Sequence, residues 1–426
     1  MLDIKFIREH PKEVQKGAND KGIKIDINQV LNSDKNYRKL SESVQKLREE
    51  RNTLNGQIKK NPNRWDKEGA RSLKQKLEKE EKNLRSSREK LDDLLLKIPN
   101  FPLKDVPIGD DSKNKIIKKV GNPKKFDFTP RDHLELGETL DIIDVKRAAK
   151  VSGTRFGYLK NEAVLLEFAL VQFVLDKLTK LDFIPVVPPA LIKKEITDKL
   201  GYWHGEKNGV TNNEEYYWLK DPSDKQELYL IGTAEHSVVS MHKDEVFKEA
   251  DLPKRYIAFS PAFRRETGSY GKDTRGIFRV HEFDKLEMIS YVRPENDGKE
   301  RKKLLQIAED LIKELGFSYQ LVRLASQDMS FPAAETIDIE TWIPSQKKYR
   351  ETHSISTTTD FQARRLNIKY QSGNEKKYVH ILNGTALAIG RTIVAILENY
   401  QQKDGSVEIP KVLQKYIEKT SIKPQK

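Results

Sequence analysis

The sequence predicts an α+β protein: an N-terminal antiparallel coiled-coil arm, then a body built on a mostly antiparallel β-sheet flanked by helices. Three observations carry this. Two narrow apolar stripes with heptad spacing lie between residues 33 and 98, separated by a helix breaker. From about residue 183 onward, short β-like runs alternate with turns. One long amphipathic helix interrupts those runs.

The first stripe holds Tyr37, Leu40, Val44, Leu47, Leu54 and Ile58, with Arg51 filling one seam position. Asn61-Pro62-Asn63 breaks it. The second holds Leu73, Leu77, Leu84, Leu91, Leu94 and Ile98 and stops at Pro99 and Pro102, which cannot continue a helix. Each helix, roughly 40 Å long at 1.5 Å per residue, has one seam and can cover only the other. Over residues 33–98, roughly 19 Lys/Arg face about 12 Asp/Glu. A solvated spacer, a dimerisation coil and a nucleic-acid-binding arm all fit that excess.

Residues 100–135, with Pro102, Pro107, Pro123 and Pro130 among lysines, read as a linker and domain entry. Residues 162–180 form a helix apolar on most of its circumference, so it is buried or faces a partner subunit. FIPVVPP (183–189) is extended. Strand-like runs follow at 227–234, 255–263, 279–292, 336–343 and 378–389, with the long helix at 299–316. The basic tail from Gln401 is expected to fray after Tyr416.

The chain has 426 residues, enough for two or three domains, and a net charge of +13, which favours a polyanionic partner. It has no cysteine, which excludes disulfides and Cys-ligated zinc. No apolar run approaches the roughly 18–20 residues that span a bilayer, and MLDIKFIREHP lacks a signal-peptide core. The expectation is a soluble cytoplasmic protein without membrane contact.

Residues 263–287, FRRETGSYGKDTRGIFRVHEFDKLE, concentrate the chemistry. Read as two strands joined through Gly268–Gly276, they bring Arg264, Glu266, Arg279, Phe283 and Glu287 onto one surface. Guanidinium forks suit phosphate, a flat ring suits a purine, and a carboxylate suits an amine or hydroxyl. A nucleotide site and an ordinary cross-strand ion-pair ladder both fit this pattern.

This stretch closely resembles motif 2 of class II aminoacyl-tRNA synthetases, in the form carried by seryl-tRNA synthetases. DFIPVVPP (182–189) resembles motif 1, NGTALAIGRTIVAILENYQ (383–401) motif 3, LIGTAE (230–235) the serine-binding loop, and RETHSISTTTDFQARRLNI (350–368) the ATP/metal segment. The arm resembles the family's tRNA-gripping hairpin. The resemblance implies a tRNA-binding domain at 1–105 and a class II catalytic domain at 106–426. Motif 1 would lie at about 162–190, motif 2 at about 256–290 and motif 3 at 383–401. It further implies a serine–tRNA ligase that makes seryl-adenylate and charges tRNA(Ser), and tRNA(Sec) where present. The expected assembly is a homodimer through motif 1.

The same resemblance assigns roles. Arg264, Arg279 and Arg391 are the catalytic arginines: Arg264 bridges the α-phosphate and the serine carboxylate, while Arg279 and Arg391 hold the far end of ATP. Arg265, Glu266, Phe283, Glu351, Thr352, His353 and Ser354 complete the ATP site. Glu266 reads the adenine edge and Phe283 stacks on the ring. Glu351 and Ser354 are the expected Mg²⁺ ligands, with no zinc. Thr233, Ala234, Glu235, Arg264, Glu287 and Thr385 form the expected serine pocket. Lys272 and Arg275 fit either a solvated loop or contacts to ATP and tRNA, and His281 fits a hydrogen-bonded support. The sequence departs from the family pattern at Asp182, where glycine is expected, at Glu282, at Thr352-His353 and at Ile355. Two other uses are a ligase loading a carrier protein, which has no use for the arm, and a non-catalytic tRNA-binding relative. The full arginine and carboxylate set speaks against the latter.

Overall fold

The computed structural model describes residues 2–60, 67–202, 206–207, 210–211, 216–220, 227–267 and 275–424. The expected breaker at Asn61-Pro62-Asn63, and Lys272 with the loop through 268–274, lie outside the described residues. The chain forms two compact units, Met1–Asn19 with Ile23–Pro99, and Asp20–Gly22 with Asn100–Lys426.

In the first unit, two short helices, α1 (Ile4–Glu9) and α2 (Pro11–Asp20), precede the long pair α3 (Ile27–Lys60) and α4 (Lys67–Leu96). The pair is held by one thin seam. Val44, Leu47 and Leu77 are buried, with Leu73 and Leu84 packed against them. Polar bonds cross between the helices where the seam is thin, from Asn36 Nδ2 to Ser87 Oγ (3.2 Å) and from Arg48 to Glu81 (2.8 Å). Near the end of α4 the buried positions are Leu91 and Leu95, and Leu94 is only half-buried, a one-residue rotation from the expected stripe. Helix α3 starts six residues before the expected Ser33, because Ile27 and Val30 are also buried. Asp34, charged and absent from the predicted stripe, is buried too. Arg8 grips it with two bonds (2.9 and 3.2 Å) and Arg38 with a third (3.0 Å), so its lone pairs are satisfied.

The second unit is organised by eight strands: β1 (Lys115–Val120), β2 (Ile184–Val186), β3 (Lys254–Phe263), β4 (Glu282–Val292), β5 (Tyr319–Arg323), β6 (Glu335–Ile343), β7 (Lys348–Thr359) and β8 (His380–Ala388). Their spatial order is β1-β5-β6-β7-β8-β4-β3-β2. All neighbours are antiparallel except the edge pair β2–β3, which is parallel. Pro185 is tolerated in β2 because an edge strand can lack a donor.

Strand alternation gives the sheet two faces. Leu286, Met288 and Val292 of β4 join the larger apolar cluster, with residues of α5 (Glu162–Leu178), of α7 (Asp297–Glu314) and of α9 (Ile389–Tyr400). Ile289 and Tyr291 join a second cluster containing residues of α6 (Ala234–Ser240) and α8 (Phe361–Leu366). Helix α5 buries Ala163, Leu166, Ala169, Leu170, Phe173 and Val174 along one side. Its other side is open, with Phe168 61% and Leu165 44% exposed. Asp182 takes the left-handed conformation itself (φ 64°), so the turn before β2 forms without glycine.

Three expectations are corrected here. Residues 115–120 are an edge strand of the main sheet rather than linker. The run at 227–234 is a strand only to Leu230, and Ala234 opens a helix. The tail does not fray after Tyr416: Ser421–Ile422 pairs with Val407–Glu408, and Val407, Ile409, Leu413, Ile417 and Ile422 are buried at wide spacings among charged residues.

Candidate active site

The motif at 263–287 was read as two continuous strands, and that is half right. β3 ends at Phe263 and β4 begins at Glu282, so Arg264, Glu266, Arg279 and His281 lie in the connection and strand parity does not place them. A local clamp does. The Arg264 N–H donates to the His281 carbonyl (2.9 Å), and His281 Nδ1 lies 3.0 Å from the Arg264 carbonyl. The Glu266 backbone then turns sharply (φ 50°), and Arg155 donates to its carbonyl (3.0 Å). The result is that Arg279 Nε sits 3.6 Å from the Glu266 carboxylate and the Arg264 guanidinium 5.4 Å from the centre of the Phe283 ring. Arg265 is exposed.

On β4 parity does hold. Phe283, Lys285 and Glu287 project from the face that carries Ile289 and Tyr291. A register irregularity between Leu286 and Glu287 sets Glu287 opposite Thr385 of β8, whose Oγ1 donates to Glu287 Oε2 (3.3 Å). Lys285 Nζ lies 2.6 Å from the same oxygen. Both members of this ion pair are buried, and burial pushes the Lys285 ammonium down, with Glu287 opposing that.

A second buried carboxylate, Glu235, lies near Glu287. Thr233 caps helix α6, its Oγ1 accepting from the Glu235 N–H (3.3 Å), with Ala234 fully buried between them. Glu235 accepts from Tyr202 OH (2.7 and 2.8 Å) and from Gln362 Nε2 (2.8 Å). Burial raises its pKa, and the Gln362 and Tyr202 bonds oppose that. Arg264 Nε donates to the Gly232 carbonyl (3.0 Å), tying the 230–235 loop to the arginine. Next to it, His236 is buried with Nε2 unpartnered, and burial, with Arg264 and Lys285 nearby, pushes it down to about 3.

On β7, Glu351 pairs with Glu340 of β6, and Ser354 with Asp338. Arg391, in the first turn of α9, donates to the Glu351 carbonyl (2.9 Å) and lies 3.2 Å from its carboxylate. Desolvation raises the Glu351 carboxyl, and Arg391, Arg264 and Arg279 more than offset it, leaving it lowered. Thr352 and His353 are buried between these groups. Thr352 Oγ1 bonds Thr341 (2.8 Å) and His353 Nδ1 lies 2.9 Å from Thr352 Oγ1. Burial lowers His353 to about 4. Asp338 is 8% exposed, its Oδ1 has no hydrogen-bond partner, and burial followed by the Glu351 charge holds its carboxyl well above the ordinary range. Among the described residues no group of three or more His, Cys, Asp or Glu side chains converges on a metal position.

The structure therefore sets two neighbouring buried carboxylates, Glu235 and Glu287, beside a surface bearing three arginines and an aromatic ring. Lys285 has no part in the sequence-based assignment. That assignment missed Tyr202 and Gln362 entirely, since nothing local to either residue signals Glu235. Asp338 could have been found from its position opposite Ser354 once strands β6 and β7 were paired.

The antiparallel sheet and the segments it brings together are those of a class II aminoacyl-tRNA synthetase core: residues 217–400 match the tRNA synthetase class II core domain (G, H, P, S and T). Residues 1–102 match the seryl-tRNA synthetase N-terminal domain. The serine–tRNA ligase of Thermodesulfovibrio yellowstonii is 40% identical over 98% of this chain and 99% of its own length. That of Thermococcus onnurineus is 41% identical over 98% and 96%. The chain belongs to the seryl-tRNA synthetase family. The seryl-tRNA synthetase of Pyrococcus horikoshii complexed with ATP superposes over 100% of both chains, with a TM-score of 0.88 and 36% identity. The Naegleria fowleri cytoplasmic serine–tRNA ligase in complex with AMP does so with a TM-score of 0.84 and 29% identity, over 100% of this chain and 99% of its own. Among the described residues no helix is long and apolar enough to cross a membrane.

The two low histidine values carry a sign. An exposed histidine gains its proton near pH 6.5, whereas His236 and His353 stay neutral in the fold down to about 3 and about 4. The stability they contribute is complete above about pH 6.5 and is lost as pH falls toward those values. The urea midpoint is expected to drop between pH 7 and pH 5, less steeply in His353→Gln. Equal pH slopes in the variant and the parent would remove His353 from this account.

Proposed function

We propose that this chain activates L-serine with ATP and charges tRNA(Ser), and tRNA(Sec) where present, as a cytoplasmic homodimer. The observation that carries the reading is the buried Glu235–Glu287–Thr385 pocket linked to Arg264 through the Gly232 carbonyl. Serine brings an ammonium, a carboxylate and a hydroxyl. The two carboxylates and the hydroxyls of Thr233 and Thr385 can pair the first and last, and Arg264 the carboxylate. Alanine would leave those buried groups unpaired, and threonine must be rejected by size at Thr385 and Ala234.

In this reading a serine carboxylate oxygen attacks the α-phosphorus. A new O–P bond forms, the bond to the β-phosphate breaks, and pyrophosphate leaves with the electron pair. The nucleophile is already ionised, so the work is positioning and charge neutralisation rather than base catalysis. Phe283 stacks on adenine and Glu266 reads its edge. Arg279 and Arg391 take the terminal phosphates, and Arg265 stands at the exposed rim. Arg391 lies near the start of α9, where free N–H groups favour anions. In the second step a terminal ribose hydroxyl of tRNA attacks the seryl carbonyl and AMP departs.

Glu351 and Ser354 are the proposed Mg²⁺ ligands. Their oxygen donors, with the unpartnered Oδ1 of Asp338 behind them, suit a hard cation that takes its remaining ligands from phosphate and water. When bound, Mg²⁺ neutralises phosphate charge. Thr352 and His353 border ATP through the backbone between these ligands. The exposed apolar side of α5, with Leu165 and Phe168, and Ile184 and Val187 beyond it, supports a homodimer through motif 1.

Three outcomes test this. Arg264→Ala is expected to lower serine-dependent ATP–pyrophosphate exchange by about 100-fold or more with the fold intact; near-normal exchange sinks the assignment. Replacing residues 41–84 by a short glycine linker spares the Asp34 cluster and should leave exchange unchanged while abolishing tRNA charging. Charging that survives would detach the arm from tRNA. Phe168→Asp should yield a monomer by light scattering, and a persisting dimer would place the interface elsewhere.

A further inference from the structure

Residues 113–125, KNKIIKKVGNPKK, hold six lysines and no acidic residue, and nothing proposed above uses them. The structure makes 115–120 an edge strand whose side chains are exposed or half-exposed throughout. Lys118 is taken up internally, 2.6 Å from Glu309 of α7. The others keep their charge at the surface. Lys119 lies over the Tyr349 ring (5.9 Å), and Lys124 over those of Phe126 (5.4 Å) and Tyr400 (5.5 Å), contacts that orient an ammonium without neutralising it.

The register tells which face Lys119 belongs to; Lys115, opposite Arg323 and through it Ile337, leans to the other face, so the lysines flank both sides of the sheet edge. Lys119 pairs with Gln320, Gln320 with Glu340, and Glu340 with Glu351, so the four side chains form one row across β1, β5, β6 and β7. Gln320 Nε2 donates to Glu340 Oε2 (2.6 Å), which holds two of the four on the same face. Lys119 therefore stands on the ATP-site face, three strand spacings or about 14 Å from Glu351. A ribose brought to the reaction centre trails the phosphates of its own strand, one per nucleotide. A few nucleotides span that distance.

We propose that Lys115, Lys119, Lys124 and Lys125 form a phosphate-binding rim along the sheet edge for the backbone of tRNA whose end occupies the active site, a surface separate from the helical arm. The inference rests on the tRNA-charging reading above. Lysines and the bulge between Ile116 and Lys118 also guard an edge strand against pairing with other chains. Edge protection accounts for charges on the strand. It does not account for Lys124 and Lys125, which lie beyond its end and extend the same charge; Lys113, before its start, lies beside Asp110.

The test uses the full-length protein carrying Lys115→Gln, Lys119→Gln and Lys125→Gln together, which keeps polar stems on the exposed edge. Serine-dependent pyrophosphate exchange is expected to match the parent. The KM for tRNA should rise about five- to tenfold, and the salt dependence of kcat/KM for tRNA should become shallower by about two units or more. Arginine at the three positions should restore both. An unchanged KM with normal exchange leaves edge protection as the role and overturns the proposal. A raised KM for ATP in the exchange assay would assign the rim to the triphosphate and overturn it equally. A second measurement needs no variant: tRNA should shield Lys115, Lys119 and Lys125 from acetylation in the parent protein, and equal labelling with and without tRNA contradicts the rim. Failure of the underlying reading is separate, since the parent would then charge no tRNA at all.

Discussion

Two buried carboxylates in one pocket set the terms for the rest of the body. Glu235 and Glu287 are each nearly inaccessible, and a buried charge without partners costs several kcal/mol, so each must be met by donors. Glu287 is met by Lys285 two residues away on its own strand and by Thr385 across the ladder. Glu235 is met by Tyr202 and by Gln362 of α8, 127 residues away in sequence. Meeting these demands pulls the 202 segment, α6, α8, β4 and β8 onto one point. The second apolar cluster then packs around it, with Val238, Ala363, Ile289 and Ile381 contributed by those same elements. Removing a single partner, Lys285 for example, leaves a charge behind and is costlier than the pair is stabilising.

The range of each interaction decides how much of this was legible in sequence. The arm was readable because heptad spacing is local; the burial of Asp34 was not, because its partner Arg8 lies on another helix. Strand alternation placed Phe283 and Glu287 together because β4 runs in unbroken register with β3 there. It could not place Arg279 or His281, which lie outside the strand. Their convergence with Arg264 depends on the reciprocal Arg264–His281 bonds and on the positive φ of Glu266, neither of which leaves a periodic trace. Residues 115–120 were read as linker because lysines mask an edge strand, whose outer side needs no apolar alternation. The tail was misread for the opposite reason. Its buried residues are too widely spaced to form a pattern, and all five join the larger apolar cluster, whose other members are distant in sequence.

The proposed ATP site contains its own stand-ins. Each of the three arginines rests on a group assigned to the nucleotide or its cation: Arg264 over the Phe283 ring, Arg279 beside Glu266, and Arg391 on Glu351. An arginine left without a partner in so cationic a place would swing into solvent or repel its neighbours. These contacts keep the guanidinium groups near working positions before any ligand arrives. They also mean that ATP must displace them. In the proposed reading adenine competes with Arg264 for the ring face, and phosphate competes with Glu266 and Glu351 for the forks. Nucleotide affinity is therefore a difference between two sets of charge-assisted contacts, much smaller than the gross attraction of three arginines for a triphosphate. What the protein gains is geometry. In the proposed reading the three forks remain aimed at one surface, the proposed serine pocket beside them is already tied through Gly232 to Arg264, and the reacting carboxylate and phosphate meet without the site having to form around them.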